Sequence, residues 1–429
     1  MESNYINISR ASSSSLVERD GASTTLNSFV PIKEIAEAKG LKSTRSLRLP
    51  SSVFLHEYYF YVTINSMDAV FSSKINLLKM LAIALVVSGH LEFSIFGMFP
   101  PFSFQLSLFF FISGMLFKDK YLDNIGEFFK RRVKSLLIPY FLYSSFYTVI
   151  TILIYKITGK FWGMELNLKN FFIVPFLNGH QLDICCPLWF VPQLFIVIIL
   201  FLFCQKMLRK TNEPIRTIFY LALGLSAIPL VKVIDLTDLN LFLIRTMFSI
   251  FFVYLGHLYV SKIRHKFNLF TPKILGFVIC LQSILWLFNR DFTTEQGIGL
   301  SYVLVWGRFD NQLIVPILTS ITGIWFSMFF INVTFDYIKN IKFLKLVGEN
   351  TYHIMANHVF VMFLITNIFL IINKIPVTEM NNHSIYWIYN PIQTTYLYFV
   401  LTMVITTYSG VLLKLIKSNF QQNRYLNEK

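Results

Sequence analysis

The chain has 429 residues, of which 55% are hydrophobic, 17% aromatic and only 14% charged, and Phe alone occurs 46 times. Apolar runs of about twenty residues, each long enough to cross a hydrocarbon layer, recur from residue 75 onward, so this makeup excludes a soluble globular enzyme for most of the chain and fits a polytopic membrane protein. The formal net charge of +15 is spread between those runs as in membrane loops, and it reports orientation, not a nucleic-acid surface.

Residues 1–73 form a polar extension that opens with ISRASSSSLVERDG, a disordered composition. Within it, VPIKEIAEAKGLKSTRSLRL resembles a helix-turn-helix, with Ala36 four residues before Gly40 at the turn and a basic second helix. A plain amphipathic helix is the competing reading, and nucleic acid is not expected as a partner. Met67 precedes the first apolar run, and the first 66 residues are expected to be a fused or mis-called extension.

Residues 74–418 are expected to form an all-α polytopic bundle of about ten transmembrane helices, because backbone groups at membrane depth must pair internally. A cytoplasmic tail follows over 419–429. Apolar windows bounded by charge and turn signals predict spans at 75–96, 99–117, 137–157, 184–205, 216–234, 239–261, 273–289, 311–333, 351–373 and 394–416. With both termini inside, 29 of the 38 Lys and Arg fall in inner segments and 7 in outer ones, which predicts N-in and C-in. The four cysteines, at 185, 186, 204 and 280, lie in or beside apolar runs without metal-ligand spacing, so no metal site is expected.

In the first span, Lys79 and His90 stand eleven positions apart. On an α-helix that is about 20° past three turns and about 16.5 Å of rise, so they share one face at different depths. Intramembrane charge normally faces the bundle interior or a water-filled cavity; the plainer reading has Lys79 reaching the inner headgroups and His90 bonding a neighbouring helix. Glu92 follows, placed to orient the imidazole if the helix loosens there. Ser113 with Gly114 reads as close helix packing or as a pocket wall. Arg131, Arg132 and Lys134 precede Pro139 and Tyr140 on an inner loop, and serve either a phosphate or the positive-inside bias with anionic lipid. Trp189 is an interfacial anchor or a face on which a sugar stacks.

Further along, Arg245 lies inside a span and must find a partner or line the cavity as a substrate contact. Arg308 and Asp310 meet a sugar acceptor or each other. In the ninth span, Asn350, His353 and Asn357 share one helical face at a spacing that joins helices, and His358, about 10 Å into the membrane by helix rise, is the better functional candidate.

The strings KMLAIALVVSGH, LFFFISGMLFK, FFKRRVKSLLIPY, PLWFVPQLF and VGENTYHIMANHVF resemble, in that order, the motifs of the membrane acyltransferase-3 family, close to its sugar and polysaccharide O-acetyltransferases, over about residues 74–416. The departure is Lys79, where the family more often has Arg; the charge survives and the bidentate fork does not. The resemblance implies transfer of an acetyl group from cytoplasmic acetyl-CoA to a hydroxyl of an envelope or secreted polysaccharide, or of its lipid-linked precursor, in a bacterial-type inner cell membrane. It puts the catalytic His on His90, the family's basic residue on Lys79, its Ser-Gly step on Ser113 and Gly114, its basic cluster on Arg131, Arg132 and Lys134, and its Trp on Trp189. With CoA as donor, Lys79, Arg131, Arg132, Lys134 and His358 are the expected donor contacts, and Ser113, Trp189, Arg245 and Asn357 the expected acceptor contacts.

The chemistry fits one cavity imidazole, which either takes the hydroxyl proton as a base or carries the acetyl group itself; both routes stay open. The rival reading is a transporter or flippase for a lipid-linked sugar, since intramembrane charges also mark substrate paths, although no matching inverted halves are seen. A membrane-anchored DNA-binding regulator is the third, with far more spans than an anchor needs.

Overall fold

A computed structural model describes residues 51–179, 181–287, 299–309 and 314–427, with side chains from Ala69 to Asn419 and at Gln422. The helix-turn-helix-like stretch over 31–49 and Asp310 lie outside the described residues. The chain divides into two units, Met1–Asn65 and Ser66–Lys429, and all that follows concerns the second. The described residues are 79% helical and form no strand.

In chain order the principal helices are α1 (Ser51–His90), α2 (Gln105–Met115), α3 (Ile125–Arg132), α4 (Ile138–Thr158), α5 (Phe190–Met207), α6 (Glu213–Val233), α7 (Asp238–Leu258), α8 (Pro272–Trp286), α9 (Val315–Ile338), α10 (Lys342–Glu349), α11 (Thr351–Ile372) and α12 (Pro391–Asn427). Their starts are written locally. Asn124, Thr237 and Thr271 accept backbone N–H groups of the first turns of α3, α7 and α8, and Pro opens α4, α6, α8 and α9, where its missing N–H costs nothing. A π-helical turn at Val133–Leu137 joins α3 to α4.

Eight helices among the described residues are long and apolar enough to cross a membrane. The windows expected at 99–117 and 273–289 hold shorter helices, α2 of 11 residues and α8 of 15. At about 1.5 Å per residue α2 rises about 16.5 Å, roughly half a hydrocarbon core, so hydropathy alone misjudges it. It is a buried core helix; even its Gln105 and Ser107 are out of solvent. The first window also stops earlier than expected, at His90 instead of 96.

The bundle is built around α7, which packs against α2, α5 and α6, while α11 pairs with α12 and α8 with α9. At the α2–α7 crossing the backbones interlock. A Cβ on Gly114 would lie 1.9 Å from the Val253 carbonyl oxygen, and one on Gly256 would lie 1.9 Å from that of Phe111. The Ser113–Gly114 step is thus first a packing device. At its other end α2 is pinned by Phe104, whose ring sits 2.4 Å from where a Cβ of Gly323 in α9 would be. Asn76 donates to the Lys345 carbonyl (3.0 Å) and Lys414 to that of Glu349 (2.9 Å), which gathers the Asn76 turn of α1, helix α10 and the late turns of α12 at one end of the bundle.

Candidate active site

His90 is the last residue of α1, and the way the helix stops sets the site. Phe93 N–H donates to the Ser88 carbonyl and Glu92 N–H to that of Gly89, each at 3.1 Å. This pair of back-bonds is a Schellman motif, and it requires a left-handed residue at its C′ position, here Glu92 at φ +58°. Glycine takes that conformation freely, whereas a residue with a Cβ is strained by about 1–2 kcal/mol. A carboxylate is therefore held at the helix end against backbone preference. A second left-handed residue, Phe102 (φ +58°), sets its ring edge-on to His90 at 5.6 Å.

His90 opens onto a cavity of about 900 Å³, at the large end of the range for small-molecule sites. Glu92, Trp189, Tyr302, Arg308 and Tyr386 also line it. Its apolar walls carry aromatic platforms: Trp189, the His383–Trp387 stack (4.0 Å between ring centroids, 6° apart) and Trp306 under the Arg308 guanidinium (5.3 Å). Flat rings beside scattered polar groups offer stacking faces to a ligand.

Two aromatic neighbours hold the imidazole. Tyr386, in the connection between α11 and α12, stacks parallel to it at 5.0 Å and 2°, and its hydroxyl shares a 2.5 Å hydrogen bond with Cys186 Sγ. Burial, with the adjacent Cys186 thiol, pushes the Tyr386 phenol well above its ordinary value, so it stays neutral. Tyr302 is likewise pushed up to about 12 by burial; its hydroxyl bridges Ser107 (2.6 Å) and Ser320 (3.0 Å).

The second neighbour is His358 of α11, with no exposed surface and its ring centroid 5.1 Å from that of His90. Its Nδ1 lies 3.0 Å from the Ile354 carbonyl, an acceptor, so Nδ1 carries the proton and Nε2 keeps a lone pair. That Nε2 is buried with no hydrogen-bond partner. Such a group costs about 1–3 kcal/mol of folding free energy, and here its ring packs against a second imidazole, that of His90, which lines the cavity. The two rings share no hydrogen bond, but they lie close enough that a small rotation would let Nε2 accept from His90, and such a bond would fix which His90 nitrogen is free to act as a base.

The remaining candidates take several places. Lys79 is half-buried on the His90 helix, with Glu349 and Lys414 as its charged neighbours. Arg131 and Arg132 close the amphipathic α3, with Lys134 exposed on the π-helical turn; Arg131 is ion-paired with Glu127 and Arg132 lies over Phe128 at 4.9 Å. Ser113, Asn357 and Arg245 do not line the cavity. Ser113 donates to the Phe109 carbonyl of its own helix (2.9 Å). Asn357 accepts from Tyr147 (2.7 Å) and belongs to a chain in which His353 bonds Tyr143 on one nitrogen and Ser409 on the other (2.9 Å). Arg245, 1% exposed, donates to the carbonyls of Asn178 (3.0 Å) and Leu177 and lies 5.3 Å over the Trp189 ring. It fixes Trp189 from behind.

Sequence reasoning did not single out Tyr386, Cys186, Tyr302 or the His383–Trp387 pair. The one signal was the aromatic run SIYWIY before the last span. Among the described residues, no three His, Cys, Asp or Glu gather as metal ligands. A family model described as an acyltransferase domain, Acyl_transf_3, matches residues 72–414. No curated protein matches the chain, and no solved structure does.

Proposed function

The chain belongs to the acyltransferase-3 family and is a multi-pass membrane acyltransferase, and from that premise we propose that it moves an acetyl group from acetyl-CoA to a hydroxyl of a sugar. The acceptor is an envelope or secreted polysaccharide, or its lipid-linked precursor, in a bacterial-type inner membrane. The Lys79 end of the bundle faces the cytoplasm, as the bias of basic residues between spans favours. The observation that carries this reading is His90 on the wall of a 900 Å³ cavity with His358 packed behind it, the His358 Nε2 buried and, among the described residues, without a hydrogen-bond partner.

His90 takes the proton of the acceptor hydroxyl as its oxygen attacks the thioester carbonyl, and returns a proton to the departing thiolate. Imidazole suits both tasks because its ordinary pKa lies close to working pH. On substrate binding His358 Nε2 accepts a hydrogen bond from His90 and so sets the tautomer that leaves the other His90 nitrogen free, and Tyr386 fixes the ring plane by stacking. Trp189, braced by Arg245, and the His383–Trp387 pair offer faces for the sugar. CoA is held by Lys79 with Arg131, Arg132 and Lys134, where Arg forks to phosphate and Lys acts as a point charge. About 16.5 Å of helix rise separates Lys79 from His90, a gap suited to an extended pantetheine arm.

The test is acetyl transfer by purified protein in proteoliposomes, with radiolabelled acetyl-CoA on the Lys79 side and envelope polysaccharide on the other. Labelled polysaccharide from the parent and none from His90→Ala supports the assignment. Equal labelling by the two refutes His90, and sugar movement without thioester consumption favours the transporter.

A further inference from the structure

A second, smaller pocket of about 150 Å³ lies far from the cavity, between α1, the end of α7 and α9. Lys74 on its wall stands sixteen residues before His90, about 24 Å along the helix, so the two sites occupy opposite ends of the bundle. Leu78, Met115, Met328 and Ile331 give the pocket apolar walls, and Lys74 and Arg264 stand on its rim.

Among the described residues, neither cation is ion-paired with a carboxylate. Lys74 Nζ donates to the Asn332 amide oxygen (2.6 Å) and lies 5.1 Å from the Phe335 ring. The acid nearest it, Asp336, is ion-paired with Lys339 at 2.6 Å. The Arg264 guanidinium lies 4.1 Å over Phe71, and its Nε points to His265 Nε2 at 3.0 Å. Two positive groups thus flank an apolar slot at the end of three membrane helices. Basic pockets between helices at the membrane face suit phosphate-bearing lipid headgroups, whose acyl chains need such walls.

We infer that this pocket binds an anionic phospholipid of the leaflet at the Lys74 end, with Lys74 and Arg264 on its phosphate and the slot between α1 and α9 taking the start of an acyl chain. CoA offers phosphates too, but it brings no hydrocarbon for Leu78, Met115, Met328 and Ile331. The site stands on its own whether or not the acetyl assignment holds.

The test is native mass spectrometry of the full-length protein in detergent, titrated with phosphatidylglycerol or phosphatidylcholine. The parent is expected to retain one phosphatidylglycerol in preference to phosphatidylcholine. Lys74→Gln with Arg264→Gln should weaken that binding about thirtyfold, since each basic residue near a membrane surface contributes about a factor of five. Lys74→Arg with Arg264→Lys should retain it. Met328→Trp, which fills the slot and leaves both charges, should abolish it even if the double Gln variant fails to fold. Parent-level phosphatidylglycerol binding by a folded double Gln variant or by Met328→Trp, equal retention of the two lipids, or displacement of the lipid by millimolar CoA would overturn the assignment.

Discussion

Replacing His358 by leucine separates function from folding, because the fold carries that imidazole at a loss. The change removes one hydrogen bond, Nδ1–H to the Ile354 carbonyl at 3.0 Å, worth about 1 kcal/mol net. It also removes a buried Nε2 that has no partner, which returns about 1–3 kcal/mol. A leucine is slightly larger than the histidine and branches where the ring is flat, so a modest packing strain offsets part of the gain. Before packing, the sum runs from no change to about 2 kcal/mol of added stability, and the strain brings it to within about 1 kcal/mol of the parent. Transfer should behave oppositely: if His358 sets the tautomer of His90, kcat falls by about a hundredfold, within the range for disrupted general base catalysis. Melting followed by size exclusion in detergent reads the first quantity, and acetyl incorporation in proteoliposomes the second. A variant that melts several degrees early, or that turns over like the parent, refutes the reasoning.

Glu92→Gly should raise stability by about 1 kcal/mol through relief of the left-handed strain at φ +58°, while lowering transfer if the carboxylate serves the site; unchanged melting would show the Schellman turn to be unstrained. Gly256→Ala must part α2 from α7, because the new methyl would stand 1.9 Å from the Phe111 carbonyl oxygen, and a loss of about 3 kcal/mol or more in melting assays is expected. Burial keeps the Tyr386 phenol above its ordinary range and hence neutral well into alkaline pH; Tyr386→Phe should therefore leave the alkaline limb of the kcat/KM profile where it is, whereas Tyr386→Leu, which removes the ring stacked on His90, should lower kcat at every pH. A shifted alkaline limb in the Phe variant would mean that this phenol ionises in the working range.

The all-helical membrane fold was legible from apolar run length, since a lipid-facing backbone has little choice but to form helices. Run length does not say whether apolar residues meet lipid or protein, which is why α2 reads as a span and is a core helix of 11 residues. The stop at His90 was hidden for a different reason: the turn there is closed by Glu92 instead of the Gly that normally signals it. In the site, His90, Trp189 and His358 stood out as polar or aromatic interruptions of apolar runs. Tyr386 did not, because its contact with Cys186 spans 200 positions, and its bond to the thiol follows from the packing of a loop, which no local pattern records.

The interlocked glycines of α2 and α7 carry a mechanical consequence. With Gly114 against the Val253 backbone and Gly256 against that of Phe111 at one end, and Phe104 wedged against Gly323 at the other, helix α2 is clamped to both neighbours and cannot slide or tilt alone. That side of the chamber is an anvil. Any opening of the chamber on that flank must therefore carry α2, α7 and α9 together as one block.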